Sequence, residues 1–74
     1  MTEDDLLQRI TVNPRNFGDK PTVRGMRMAV EHVVNMLAAG ETPEHLLQQF
    51  PFLEPLDIKA CLVYASRSLP SGNS

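Results

Sequence analysis

In the second half of the chain the apolar residues recur at helical spacing. Val30, Val33, Val34 and Leu37 follow the i, i+3, i+4, i+7 rule, with Glu31, His32 and Asn35 on the opposite face. Gly40 follows as a C-terminal cap would, so a helix is predicted from Ala29 to that glycine. A second helix restarts at once in ETPEHLLQQFP: Thr42 is a good N-cap and Pro43 suits the first helical position. Leu46, Leu47 and Phe50 form its apolar face, and Pro51 ends it. A third helix is predicted from near Pro55 to about Ser66. Ile58, Cys61, Leu62 and Ala65 make one apolar face, and Leu56, Ala60, Val63 and Tyr64 continue round the other side. Only Asp57, Lys59, Ser66 and Arg67 are polar there, which implies burial on both sides.

The first half reads differently. Residues 1–8 suit one helical turn, with Thr2 as cap and Glu3, Asp4 and Asp5 at its positive end. RITVN alternates polar and apolar positions, and its β-branched residues favour a short strand ending at Asn13-Pro14. PTVRGMRMAV reads as a second extended pass broken at Gly25, where a glycine between two arginines predicts a tight turn at positive φ. LPSGNS at the end is turn-forming and predicted to be disordered.

Charge sharpens this division. The formal net charge is −2. It is the balance of −3 over residues 1–8, +4 over residues 9–27 and −3 over the remainder. Seventy-four residues make one small domain whose core is marginal on its own. Cys61 is the one cysteine, so an internal disulfide is excluded and a reducing compartment fits. No uncharged run approaches the length of a membrane span, and the acidic start MTEDDLL does not read as a secretory signal. A cytoplasmic location is expected.

Three blocks recur in a known order: GDKPTVRGMRM, then LAAGETPEHL, then LDIKACLVYA. Lys20, Pro21, Arg24, Gly25 and Arg27 carry the first block. Leu37, Gly40, Pro43 and Glu44 carry the second, and Asp57, Ile58, Ala60, Leu62, Tyr64 and Ala65 the third. Together they resemble the bacterial domain-of-unknown-function family 433 over residues 9–65. The resemblance implies a homeodomain-like helix-turn-helix fold. It also implies a VapB-like antitoxin that acts beside a PIN-like ribonuclease. Two positions depart from the family pattern. Met26 stands where a threonine is usual, and Glu54 where a Ser or Thr commonly caps the third helix.

The expected fold is therefore mainly α: a helix-turn-helix three-helix core with a short N-terminal β-ribbon or extended basic arm. Residues 1–68 form the domain, with the arm over 9–28, the helices over 29–67 and a tail over 69–74. Arg15, Lys20, Arg24, Gly25 and Arg27 are the candidate contacts to nucleic acid or to a protein partner. The competing reading has these cations pairing with the acidic ends of neighbouring helices, Gly25 merely making the turn. The third helix offers Glu54 and Asp57 near its start, which repel phosphate, so the arm is the better candidate for DNA.

No nucleophile set, phosphate loop or paired-carboxylate pattern marks an enzyme. His32, His45 and Cys61 lack metal-ligand spacing, so neither metal nor cofactor is expected. The apolar girth of the third helix predicts a homodimer through Leu56, Ala60, Val63 and Tyr64. The resulting functional expectation is a small dimeric DNA-binding regulator, the antitoxin of a pair with a PIN-like ribonuclease. The alternative is a protein-interaction module for which duplex DNA is irrelevant.

Overall fold

A computed structural model describes residues 2–12, 20–26 and 28–68. It is mainly helical, with a small antiparallel sheet of two strands. Helix α1 (Glu3–Leu7) opens with a reciprocal capping box. The Asp5 amide donates to Thr2 Oγ1 and the Thr2 amide to Asp5 Oδ2, both at 3.2 Å. Strand β1 (Ile10–Val12) pairs with β2 (Pro21–Val23) in the register Ile10 to Val23, Thr11 to Thr22 and Val12 to Pro21.

Beyond β2 the chain reverses again. Arg24 and Gly25 stand at φ +48° and +72°, and the Met26 amide donates to the Val23 carbonyl at 2.8 Å. Two successive positive φ values give the tight turn whose twist suits a β-hairpin. Val23 then accepts its place in a further pairing: its amide donates to the Met28 carbonyl, and Thr22 bridges Ala29. The glycine at positive φ was expected. The arginine beside it was not.

Helix α2 (Val30–Ala38) buries Val30 and Val33 and leaves Glu31, His32 and Asn35 exposed, as its spacing predicts. Gly40 at φ +105° ends it, with the Gly40 amide donating to Leu37 and the Glu41 amide to Met36. That pair of bonds satisfies carbonyls the helix would otherwise leave orphaned. Helix α3 (Pro43–Gln49) starts on Thr42, whose hydroxyl accepts from the His45 amide at 3.1 Å. Helix α4 (Pro55–Ser68) is the longest.

α4 is the centre of the packing. α1 lies against it on one side and α2 on another, with α3 and β1 also in contact. Leu46, Val23, Val33 and Cys61 have almost no exposed surface, and Met28, Val30, Leu53 and Ile58 complete the core. The burial of this helix on two sides, expected from its apolar girth, is therefore met in part within the chain itself. The five-residue helix α1, stabilised by its cap, supplies one such layer and buries Leu6. Among the described residues no helix is long and apolar enough to cross a membrane.

Candidate functional site

Two stretches far apart in sequence meet at the start of α4. Asp57 sits in the first turn of that helix and its side chain is completely buried. It is held from three directions. Arg24 grips it with Nε at 3.1 Å and 3.2 Å from the two carboxylate oxygens and Nη2 at 2.8 Å from Oδ2. Arg9 donates Nη1 to Oδ1 at 2.9 Å and to Glu54 Oε1 at 2.7 Å. The Glu54 amide donates to Asp57 Oδ2 at 2.9 Å.

This last bond answers the missing hydroxyl cap at Glu54. A carboxylate three residues into the helix reaches back to the cap amide, which is one half of a capping box. The Arg24 amide also donates to the Arg9 carbonyl at 2.7 Å, so the two cations are tied through the backbone. Arg24 Nη2 further donates to the Phe52 carbonyl at 2.8 Å, in the turn between α3 and α4.

The electrostatics follow from this geometry. Burial alone would push the Asp57 carboxyl up. The Arg24 guanidinium, the Glu54 amide and Arg9 together outweigh it and hold the group below its ordinary value. A buried carboxylate in this position is ionised because its partners replace the water it lost. The positive φ at Arg24 belongs to the same arrangement. A left-handed conformation is costly for a side-chain-bearing residue, and here it accompanies a guanidinium bound at two carboxylate oxygens and one carbonyl.

The other predicted arm residues are placed as follows. Lys20 is exposed and pairs with Glu31 of α2 at 2.8 Å. Gly25 makes the turn, with nothing within 4 Å of the position a Cβ would take. Arg15 and Arg27 lie outside the described residues, as does the tail over 69–74. Arg24 and Lys20 thus make the contacts to acidic helix positions that the competing reading anticipated, while 36% and 56% of their side-chain surface stays accessible.

Of the residues expected at a subunit interface, Ala60 is fully buried inside the chain itself and has no surface to offer. Leu56, Val63 and Tyr64 are half-buried, Tyr64 in a hollow of about 230 Å³ shared with Pro21, Val34 and Ala65. The apolar surface that α4 does expose lies elsewhere. Leu62, grouped by its spacing on one apolar face with Ile58 and Cys61, is 46% exposed, and Phe52 is 47% exposed in the preceding turn. Phe52 meets Phe50 edge to face, and Phe50 meets His32 in the same manner.

Sequence reasoning missed Arg9 and the burial of Asp57. It also missed the exposure of Leu62. A partial signal for Asp57 was present: Glu54 has no hydroxyl to cap the helix, which leaves that role to a carboxylate three residues on, but nothing local marks its burial or its arginine partners. Cys61 was read as a core residue and is one. Burial, with Asp57 adding to it, pushes its thiol up to about 12, so it is not a nucleophile at neutral pH. His45 pairs with Glu41 one turn away on the surface.

Comparison with known proteins places these blocks. The family described as "Protein of unknown function (DUF433)" matches residues 10–65. The uncharacterized protein y4eO of Sinorhizobium fredii (strain NBRC 101917 / NGR234) is 36% identical over 65 residues, which is 84% of this chain. The match spans 29% of the length of that relative. No solved structure matches the chain. Arg24 of the hairpin and Asp57 of α4 both fall within the matched region, and the chain belongs to the DUF433 family.

Proposed function

We propose that this chain is a protein-interaction module and that its hairpin cations serve its fold before they serve a ligand. One observation carries the reading: Arg24, in the first of the three blocks, is bound to Asp57, in the third. A duplex-binding surface needs cations whose charge faces outward, and such domains are commonly strongly basic. Here the sequence pI is about 5.5 and the described hairpin cations face carboxylates. The exposed surface instead includes Phe52, Leu62 and Val12, each about half accessible. Apolar side chains of this size at a surface are the ordinary material of protein contacts. The match to less than a third of a longer relative also fits a unit that works joined to other sequence.

A second reading is favoured by the local charge of residues 9–27. In it the chain is a dimeric DNA-binding regulator of helix-turn-helix type, the antitoxin of a pair with a PIN-like ribonuclease. Lys20 and the accessible part of Arg24 would contact phosphate together with Arg15 and Arg27. The start of α4 is poorly suited to read bases in this scheme, since Asp57 is buried and Glu54 is acidic.

Titration of the chain with duplex DNA taken from upstream of its own coding sequence separates the two. The module reading predicts no saturable binding at micromolar concentration in about 0.1 M salt. Saturable binding with a steep salt slope, made shallower by about one unit in Lys20→Ala, would establish the second reading in its place.

A further inference from the structure

Helices α3 and α4 leave an open apolar groove of about 350 Å³ between them. Pro43 and Leu47 form one wall, and Pro55, Ile58 and Leu62 the other. The α4 residues follow helical spacing across two turns, so the wall is a straight ridge with Leu62 standing out at its far end. One acid and one base also line it: Glu44 on α3 and Lys59 on α4, both exposed. Among the described residues neither has an ion-pair partner.

We infer that this groove is filled by a second copy of the chain, related to the first by a two-fold axis. It rests on the interaction-module reading and names a partner for it. A two-fold contact must be self-complementary, because the same patch serves both copies. This patch meets that demand twice. It contains a projecting leucine and a hollow lined by aliphatic side chains, so Leu62 of each copy enters the groove of the other. It also contains one carboxylate and one ammonium on opposite walls, so Lys59 of each copy faces Glu44 of the other. A foreign apolar helix would require only the hollow; the paired acid and base on the same patch add what a like copy supplies.

The size of a stable dimer contact sets how far this one must extend. Stable dimers cover about 800 Å² on each partner, roughly a sixth of the 5071 Å² this chain exposes. A contact of that size reaches beyond the groove onto the flanking faces of α3 and α4, and association at micromolar concentration is expected. It differs from the interface expected from sequence, since Ala60 is inside the protomer and Leu62 is outside it.

Sedimentation equilibrium of the intact chain from about 1 to 200 µM tests this, with Leu62→Asp, Glu44→Lys, Lys59→Glu and the Glu44→Lys, Lys59→Glu double variant. Circular dichroism melts confirm that each variant is folded, which their exposed positions favour. The wild type should double its mass with concentration. Leu62→Asp should be monomeric throughout, and each charge variant should weaken association by about tenfold because two like-charge contacts arise per dimer. The double variant exchanges the two charges and should return to within about threefold of the wild type.

A wild type that is monomeric throughout overturns the inference, as does a dimer that Leu62→Asp leaves intact. Failure of the double variant to recover overturns the reciprocal charge arrangement. None of these results touches the duplex titration, so loss of the dimer and loss of the module reading remain distinguishable.

Discussion

Arg24 and Arg67 both join distant parts of the sequence, and they do so in unlike surroundings. Arg24 reaches across 33 positions to Asp57, whose side chain is completely buried, and makes three contacts to it. Arg67 reaches across 64 positions from the end of α4 to Glu3 at 2.6 Å and lies 3.7 Å from Asp4, with all three side chains at least half exposed. The shorter distance belongs to the weaker device. An exposed pair exchanges water for a partner at little net gain, and salt screens it. A buried carboxylate has no water to return to, so removing its partners leaves an uncompensated charge. Distance alone would rank the two the wrong way round.

The largest effect should come from Asp57 itself. Asp57→Ala removes the carboxylate that caps α4 and leaves Arg9 and Arg24 facing an apolar side chain. A loss of about 3 kcal/mol is expected, at the lower edge of what breaking a buried pair costs, because both arginines keep access to water. In a domain of this size that lowers the melting temperature by roughly 12 to 24 °C. Glu3→Ala, by contrast, should leave it within about 3 °C of wild type. Similar losses in the two variants would erase the distinction between the two regions.

Acid should sharpen the same contrast. The Asp57 carboxyl is held below its ordinary value in the folded chain, while in the unfolded chain it titrates near about 3.9. The unfolded state therefore takes up the proton first as pH falls. The contribution of Asp57 is fully present above about pH 5 and declines through the unfolded value toward the lower, folded one. Denaturant midpoints of wild type and Asp57→Asn should converge as pH is lowered from about 5 to 2. A gap that stays constant over that range would show that ionisation at this site is not what stabilises the fold.

Much of the α-helical part was legible because its signals are local. Val30 and Val33 mark one face by spacing alone, Gly40 stops α2, and Thr42 with Pro43 starts α3, each within a few residues of its effect. The turn at Gly25 was legible for the same reason. The heart of the candidate site was not. A carboxylate at the third position of a helix reads equally as a cap, a dipole partner or a solvated charge, and nothing near Asp57 announces two arginines 33 and 48 positions away. The docking of α1 was hidden in the same way: its cap is readable in TEDD, but the burial of Leu6 depends on a helix more than 45 residues later. Leu62 was misplaced because periodicity identifies an apolar stripe without saying where its partners run out.

Smaller effects separate backbone from charge. Gly25→Ala meets no neighbour, so its cost is the positive φ alone, about 1 kcal/mol, with the Asp57 contacts unchanged. A thermal melt should show a drop of roughly 4 to 8 °C. A much larger drop would mean that the turn has shifted and taken Arg24 with it. The smallest effect belongs to Arg67→Ala. Its melting temperature should be indistinguishable from wild type in about 0.5 M salt, where exposed pairs are screened, whereas Arg24→Ala should keep its deficit.

Arg24 of the basic hairpin is committed to the buried carboxylate of α4. A double-mutant cycle on stability measures that coupling, using Arg24→Ala, Asp57→Ala and the double variant in urea. The double variant should lose clearly less than the sum of the two single losses, because each substitution removes the same contact. The parallel cycle on Arg67 and Glu3 should be additive within experimental error. Additive losses for Arg24 and Asp57 would show that the two are not coupled and return Arg24 to the set of residues available for a ligand.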